Sequence, residues 1–379
     1  MGVFGDYLPR IGDQQFILGE RKRQLGRIAQ IRRRDVLVYA ADWTKDGTPL
    51  TQMDYSDIIS VSDQVSNLAG SSVDLILETP GGRGEVAEDI VKLLRGRFES
   101  VAVIVPGWAK SAGTLIAMAA DDILMDASSA LGPIDAQIGS RGKVISAHAM
   151  LTGFDEIKEE VERTGRLNPV YVPLLQDMTP GELQAAKNGQ AFAQELVEEW
   201  LATYKFKGWT AHSSTGTEVT PQERQDRAKE IAAALADHGR WHSHGRSIHM
   251  EDLAKLRLRI TDYRQQRDLA DAITRYYALL RITFISDLVK LVETPTSHVY
   301  RHMPRQGGTV EGATTLDVKC NKCQTVVKVQ ANIGNPQPAQ PGHVLFPADN
   351  KLTCPGCNTE LDLSPLRMQI ESSVGAGII

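Results

Sequence analysis

The sequence predicts an α/β protein that carries a helical extension and a small metal-binding domain at its C-terminal end. Short apolar runs alternate with helical patterns between residues 34 and 125, as in βαβ units. Residues 150–300 are dominated by amphipathic helical patterns, and all four cysteines lie beyond residue 319. A chain of 379 residues exceeds one compact domain. We therefore expect domains at 1–300 and 301–379.

The first domain opens with buried parallel strands, which read as continuous apolar runs rather than as alternating ones. Helical patterns at 55–68 and 86–94 separate these runs, and a third helix follows Lys110. The predicted strands are 36–39, 73–77, 101–105 and 123–125.

The helical extension contains long stretches rich in Glu and Lys, which we expect to cover the sheet or to build an oligomer interface. The predicted stretches are 155–164, 179–204, 221–237 and 262–292. Basic clusters at 21–23, 32–34 and 257–267 would suit phosphate contacts, but interspersed acids favour solvated faces.

The C-terminal cysteines form two Cys-x-x-Cys pairs about 30 residues apart, the spacing of a structural zinc site with four thiolate ligands. We predict a zinc ribbon in which Zn²⁺ is bound by Cys320, Cys323, Cys354 and Cys357. Redox pairs or free thiols are the alternatives. We interpret the ribbon as a structural element. The alternative interpretation is that it contacts nucleic acid or protein.

Composition limits the partners and the compartment. The formal net charge of −5 gives no global excess of cations for nucleic acid, so that partner is not expected, although it is not excluded. No apolar stretch reaches about 18 residues, and the first residues lack a signal-peptide pattern. Because every cysteine lies in a zinc-type pair and not in a disulfide framework, we expect a reducing environment and therefore a cytoplasmic protein.

Two turns carry the residues suited to catalysis. Ser111 stands at the start of a helix after a strand, where the helix dipole favours a developing oxyanion. The Pro80-Gly81-Gly82 turn precedes it by one βα unit and could supply backbone donors. Taken singly, each feature could instead be an ordinary N-cap or a tight turn.

Together these segments resemble the ClpP/crotonase superfamily, and more narrowly the serine dehydrogenase proteinase family related to signal peptide peptidase A. The matching segments are LILETPGG at 75–82, AKSAGT at 109–114, ADDILM at 120–125 and LGPIDAQ at 131–137. The resemblance implies a ClpP/crotonase-like core and a serine peptidase acting on peptides or proteins. It implies Ser111 as nucleophile and the N–H groups of Gly82 and Ala112 as the oxyanion hole. It also implies a homo-oligomer, since such folds commonly assemble into rings.

The general base is the open question. No histidine stands about two dozen residues after Ser111, where a ClpP-type base would fall; Asp135 lies there and could orient a base or cap an element. The candidates are His148, a residue type suited to proton transfer, and Lys110, which would need a depressed pKa. Lys158 is a more distant third, in a helix face expected to be solvated.

The histidine-dense run HGRWHSHGRSIH at 238–249 is interpreted as a structured loop near the active-site face. A second metal site is the alternative for this run. Two other functions remain open for the whole chain. One is a crotonase-type enzyme acting on acyl-coenzyme A, and the other is a non-catalytic scaffold or nucleic-acid-associated adaptor.

Overall fold

A computed structural model describes residues 2–45, 49–140, 143–176, 178–304, 312–374 and 377–379. The chain divides into two compact units, Met1–Met303 and Pro304–Ile379. Within the described residues, no helix combines the length and apolar character needed to cross a membrane.

The first unit is built on a seven-stranded sheet with helices on both faces. Its strands are β1 (Asp35–Ala41), β2 (Ser72–Glu78), β3 (Ser100–Ile104), β4 (Trp108–Ala109), β5 (Asp122–Met125), β6 (Ala130–Leu131), β7 (Gln137–Ser140), β8 (Lys143–Ser146), β9 (Thr261–Asp262), β10 (Leu288–Glu293) and β11 (His298–His302). Its helices are α1 (Val3–Tyr7), α2 (Gln14–Arg32), α3 (Ser56–Ser66), α4 (Gly84–Arg97), α5 (Ala112–Met118), α6 (Ala147–Thr164), α7 (Val172–Gln176), α8 (Pro180–Trp200), α9 (Pro221–Ala236), α10 (His238–Trp241), α11 (Met250–Lys255) and α12 (Arg267–Thr283).

The strand order of the large sheet is β11-β10-β1-β2-β3-β5-β9. Neighbours from β1 to β9 pair in parallel, whereas β10 runs antiparallel to both β1 and β11. Successive side chains of a strand point to opposite faces, so each central strand contributes to two cores. In β2, Leu75 and Leu77 join the core beneath α3, α4 and α5, while Ile76 joins the core beneath α2 and α12. The parallel strands predicted from apolar runs are confirmed.

One predicted helical stretch is wrong in its last third. The structure ends α12 at Thr283 and places β10, which begins within the stretch 262–292, inside the sheet against β1. All six residues of β10 are buried, including Lys290 and Glu293. An apolar run of this length cannot be assigned to helix or strand by periodicity alone.

The basic clusters near the N-terminus form a solvated face only in part: Arg23 and Arg33 are exposed, but the other members are buried or half-buried. Arg21 is buried and its Nε lies 2.7 Å from Glu293 Oε1. Asp74 pairs with Arg32 at 2.7 Å and with Arg34 at 2.5 Å. These arginines connect α2 and the chain that follows it to the sheet.

The second unit is a small β structure with one helix. It contains β12 (Gly312–Lys319), β13 (Val326–Ile333), β14 (Val344–Leu345), β15 (Lys351–Thr353), β16 (Glu360–Asp362) and α13 (Ser364–Val374). The first three strands form one sheet, and β15 pairs with β16. Val329, Leu363 and the buried thiols of Cys320 and Cys354 belong to its apolar cluster.

Candidate active site

A second layer of extended chain lies beyond the carboxyl ends of β2 and β3 and positions the candidate residues. Thr79 bridges in parallel to Ala109 of β4, and Ala109 pairs in parallel with Leu131 of β6. Leu131 in turn pairs antiparallel with Ile248. Four segments distant in sequence are therefore held side by side, in the order 79, 109, 131 and 248.

Ser111 leaves this layer in a strained conformation. Its φ is 49° and its ψ is −114°, which is uncommon for a residue with a side chain. It is the N-cap of α5, yet its hydroxyl makes no capping hydrogen bond, and the side chain is partly exposed. Strained backbone of this kind clusters at active sites, and an uncapped hydroxyl is free to react.

Glycines line the approach to Ser111. A Cβ on Gly81 would lie 2.8 Å from Ser111 Cβ, and one on Gly82 would lie 2.3 Å from the backbone nitrogen of Met53. Both have positive φ, 109° and 148°. A side chain at Gly81 would displace the serine turn, and one at Gly82 would displace the backbone at Met53. The close packing therefore explains why this turn contains two glycines.

The N–H groups of Gly82 and Ala112 have no protein acceptor among the described residues. Gly82 is held by flanking bonds, from Met53 N to Gly81 O at 2.7 Å and from Arg83 N to Met53 O at 3.0 Å. Ala112 is the first residue of α5, where an N–H has no partner within the helix. Both donors are therefore available to an oxyanion.

Lys110 is buried, and its ammonium group is bound to the loop after α10. Its Nζ lies 2.9 Å from Ser247 Oγ and 3.0 Å from the carbonyl oxygen of Arg246. Burial lowers the pKa of Lys110 to about 8. It makes no hydrogen bond to Ser111, and a Cβ on Gly132 would touch its stem at 2.9 Å.

His148 lies in the first turn of α6. Its Nδ1 is 3.4 Å from Gln190 Nε2, and its ring centroid is 6.2 Å from that of His238. The structure gives it no hydrogen bond to Ser111. Lys158 is exposed and pairs with Glu162 at 3.7 Å, as expected for a solvated helix face.

Asp135 is buried and binds two histidines. Its Oδ1 lies 2.7 Å from His244 Nδ1, and its Oδ2 lies 3.0 Å from His238 Nδ1. Burial alone would raise the pKa of Asp135, but hydrogen bonds from His244, Ser146 and His238 outweigh it and hold that pKa below its usual value. The carboxylate therefore stays ionised.

Sequence reasoning missed His244 and His238 as partners of Asp135. The signals that could have found them were the density of histidines at 238–249 and the aspartate of the Gly-Pro-Ile-Asp stretch. Among the described residues, the groups of potential metal ligands that lie close together do not include these histidines.

Glu78 holds the chain that leads to the serine turn in place through hydrogen bonds. It is fully buried at the end of β2 and accepts hydrogen bonds from Trp43 Nε1 at 2.7 Å, Trp108 N at 2.9 Å and Tyr277 OH at 3.0 Å. Burial raises its pKa to about 7, against the lowering effect of these donors. The bond to Trp108 fixes the start of β4, three residues before Ser111.

The four cysteines of the second unit come together as a metal site would require. One ligand atom from each lies within 4.8 Å of the others. Both knuckles have the same geometry, since Gln324 and Asn358 follow them with φ of 64° and 56°. Each of these residues donates its N–H to the first cysteine of its pair, at 3.0 and 2.9 Å. The set fits a tetrahedral thiolate site, for which zinc is the usual ion.

A cleft of about 1000 Å³ lies away from these residues. It is lined by Asp122, Lys205, Trp209 and Arg259, among others, at the amino end of β5. The serine turn lies at the opposite end of the parallel strands. The cleft is therefore separate from the candidate active site.

Comparison with known proteins supports the fold of the first unit. Residues 20–167 match the family model described as ClpP-like SDH-type serine proteinase. The matched stretch contains Ser111, Gly82 and Asp135 and ends before the histidine-dense loop. The ClpP-like fold expected from the sequence is confirmed.

The relatives are partial matches. An uncharacterized protein of Methanocaldococcus jannaschii is 28% identical over 205 residues, which is 52% of this chain and 62% of the relative. A second uncharacterized protein of that organism is 51% identical over 67 residues, covering 18% of this chain and 23% of the relative. The chain thus spans less than two thirds of either one.

Two solved structures of the 1510-N membrane-bound stomatin-specific protease are also similar. A serine-to-alanine mutant is 15% identical with a TM-score of 0.33, covering 58% of this chain and 79% of its own. A lysine-to-alanine mutant in complex with a substrate peptide is 24% identical with a TM-score of 0.23, covering 37% and 61%.

Proposed function

We propose that this chain is a serine peptidase that cleaves peptide or protein substrates through an acyl-enzyme at Ser111. One observation carries the proposal: a strained, uncapped serine at a helix start lies beside two backbone N–H groups that lack acceptors. The match of residues 20–167 to a serine proteinase family supports it.

The geometry suits acyl transfer. Ser111 Oγ attacks the scissile carbonyl carbon, the carbonyl π electrons move to oxygen, and the oxyanion accepts hydrogen bonds from Gly82 and Ala112. Removing one such donor typically costs about 2.7–4 kcal/mol of transition-state stabilisation. The strained backbone is built before substrate binds, so the site needs no costly rearrangement during the reaction.

The remaining parts of the proposal follow the sequence. The domain ending near residue 300 is the peptidase, and residues 301–379 form a zinc ribbon with a structural Zn²⁺ ion. A homo-oligomer and a cytoplasmic location are further proposals, for which oligomeric mass and cell fractionation are the tests. The roles of Lys110 and His148 as candidate bases are predictions for alanine variants to test; the hydrogen bonds of their side chains go to residues other than Ser111.

Covalent labelling by a fluorophosphonate probe tests the central claim, because the probe reacts with activated serines. The wild type should be labelled at one site and Ser111→Ala should not, while the exposed-loop variant Ser213→Ala should match the wild type. An unlabelled but folded, zinc-loaded wild type would contradict the peptidase and favour a non-catalytic scaffold. A labelled Ser111 also argues against a crotonase-type enzyme, which has no serine nucleophile.

A further inference from the structure

We propose that the cleft at the amino end of β5 binds a phosphorylated small molecule that carries a planar ring, such as a nucleoside triphosphate. The cleft has a volume of about 1000 Å³, and ligand pockets typically measure about 300–1000 Å³. Ser111 lies at the opposite end of the parallel strands. A ligand in the cleft would therefore leave the candidate active site open, and it would bind whether or not Ser111 is catalytic.

The lining of the cleft carries more cations than acids. The cationic side chains come from three separate segments of the chain, and they are Lys205, Arg227, Arg257 and Arg259. The acids are Asp121 and Asp122. The whole chain has a formal net charge of −5, so the cleft has the opposite charge balance to the protein around it. Such a local excess of positive charge attracts anions.

Both acids of the cleft already have partners. Asp121 Oδ2 accepts a hydrogen bond from Arg95 Nη1 at 2.9 Å. Asp122 accepts from Thr261 Oγ1 at 2.9 Å and from Lys205 Nζ at 3.3 Å. These contacts use the negative charge that the cleft contains, and they leave little of it to neutralise the other cations.

Arg257 and Arg259 are the cations that remain available. They are exposed, whereas Leu256 and Leu258, which alternate with them, are buried. The alternation places both guanidinium groups on one side of the segment, which is the side that lines the cleft. Among the described residues, no acid forms an ion pair with either of them. Guanidinium groups bind phosphate oxygens through several N–H donors at once, so this pair suits a phosphate chain.

The arginine segment is fixed in shape without a ligand. Arg257 has a φ of 53°, which is uncommon for a residue with a side chain. Its N–H donates to the carbonyl oxygen of Ala254 at 2.8 Å. Arg227 of α9 donates to the carbonyl oxygen of Leu256, directly before it. Strained residues of this kind cluster at ligand clamps and active sites.

Lys205 reaches the cleft from a π-helical turn, Leu201–Lys205, that continues α8. Such turns are rare and are frequently found at functional sites. Burial lowers the pKa of Lys205, and the positive charge of Arg259 lowers it further, although Asp122 acts in the opposite direction. A bound anion would relieve the repulsion between these cations, which favours its binding.

Trp209 gives the cleft an aromatic wall. Its ring centroid lies 5.9 Å from that of Phe206 and 5.4 Å from that of His212, and both contacts are edge-to-face. These contacts hold the half-buried indole in one orientation. An aromatic ring offers a surface on which a nucleobase can stack, while the arginines bind the phosphates. An acidic peptide would use the arginines but would have no need of the indole, so the lining favours a nucleotide.

Equilibrium dialysis of the full-length protein with ATP, tripolyphosphate or adenosine tests the proposal. ATP should bind most tightly, because it alone contacts both the arginines and Trp209. Tripolyphosphate should bind more weakly and adenosine most weakly. Added salt should weaken the binding of ATP and tripolyphosphate, since salt screens exposed charges.

Two matched double variants test the arginines. Arg257→Gln with Arg259→Gln should weaken ATP and tripolyphosphate by about 10–100-fold, the usual contribution of charge-assisted hydrogen bonds. Arg163→Gln with Arg166→Gln removes the same charge from exposed residues that do not line the cleft, and it should bind ATP as the wild type does. An equal loss in both double variants would overturn the site, because it would show a response to net charge alone.

Trp209→Leu tests the aromatic wall. It should weaken ATP by about 5–100-fold, as the loss of one base-stacking contact does, and leave tripolyphosphate within about twofold of the wild type. Trp209→Phe keeps a ring and should retain ATP binding. Urea unfolding checks that the variants are folded. The proposal would be overturned if the wild type bound no ATP, if tripolyphosphate bound as tightly as ATP, or if a hexaglutamate peptide bound more tightly than ATP.

Discussion

Gly81 and Ser111 approach so closely that a single methyl group on Gly81 would stand 2.8 Å from Ser111 Cβ. The serine turn and the glycine turn therefore fix each other's position. Neither the strain at Ser111 nor the placement of the Gly82 N–H could survive a side chain at position 81. We therefore expect the activity of Ser111 to depend on Gly81, although glycine has no side chain that could take part in the reaction.

Gly81→Ala should reduce labelling of Ser111 by about 100-fold, since a displacement near 1 Å in a catalytic geometry costs that much. It should also destabilise the first unit by about 1–3 kcal/mol, because an L side chain is strained at φ 109°. Gly96→Ala in α4, with open space around the added methyl, is the control and should be neutral or stabilising. Equal labelling of both variants would contradict the close approach.

Glu78 predicts a pH dependence of stability. Its folded pKa of about 7 lies above the ordinary value of 4.5, so the folded state holds a proton that the unfolded state has lost between these values. Its contribution is present below pH 4.5 and is lost as pH rises to 7. Relative to Glu78→Gln, the wild type should lose on the order of 3 kcal/mol of unfolding free energy between pH 4.5 and 8.

Tryptophan fluorescence during urea unfolding measures this difference. All five tryptophans precede residue 242 and so report on the first unit alone. Subtracting the variant removes the contribution of the other titrating groups. A constant difference between the two proteins across that pH range would show that Glu78 stays ionised when folded.

Metal removal should unfold the second unit and leave the first intact. The wild type should contain about one zinc per chain, and Cys354→Ser should bind less because three thiolates rarely close a structural site. Chelation should reduce β-sheet circular dichroism and expose the C-terminal residues to protease, without changing tryptophan fluorescence. Metal-free protein with a protease-resistant second unit would contradict the zinc ribbon.

The buried pair of Arg21 and Glu293 predicts a large stability effect. Arg21→Met leaves a carboxylate buried with fewer partners, although Lys22 still reaches it at 2.8 Å. Breaking a buried pair typically costs about 3–5 kcal/mol. Arg10→Met, which removes an exposed pair with Asp13, should leave the urea midpoint unchanged. Similar midpoints for both variants would show that Arg21 contributes little.

The parallel half of the sheet could be predicted because its strands are continuous apolar runs between turns rich in glycine. The strand β10 could not, because its sequence LVKLVE continues the apolar pattern of α12 and buries a lysine. That lysine is satisfied only by tertiary partners, with Asp57 Oδ2 at 2.8 Å. The local sequence pattern around Lys290 does not indicate a partner that lies so far away in the sequence.

The residues of the candidate site also fall into two groups: those that the local sequence indicates, and those that only the folded chain brings together. Ser111, Gly82 and Ala112 lie in short turns whose composition points to them. The sequence signal for the partner of Asp135 is only the density of histidines at 238–249, and it does not show the pairing, because His244 lies 109 residues further along the chain. Their meeting depends on the pairing of Leu131 with Ile248, which is a property of the folded chain.

The position of β10 between β1 and β11 has a consequence for how the protein is made. During synthesis β1 leaves the ribosome early, and its antiparallel neighbour β10 follows about 250 residues later. One edge of the nascent sheet therefore stays unpaired until β10 has been synthesised. Exposed apolar edges invite association between chains. A recombinant fragment that stops at residue 167 or at 250 should therefore aggregate, and the shortest fragment worth expressing reaches His302.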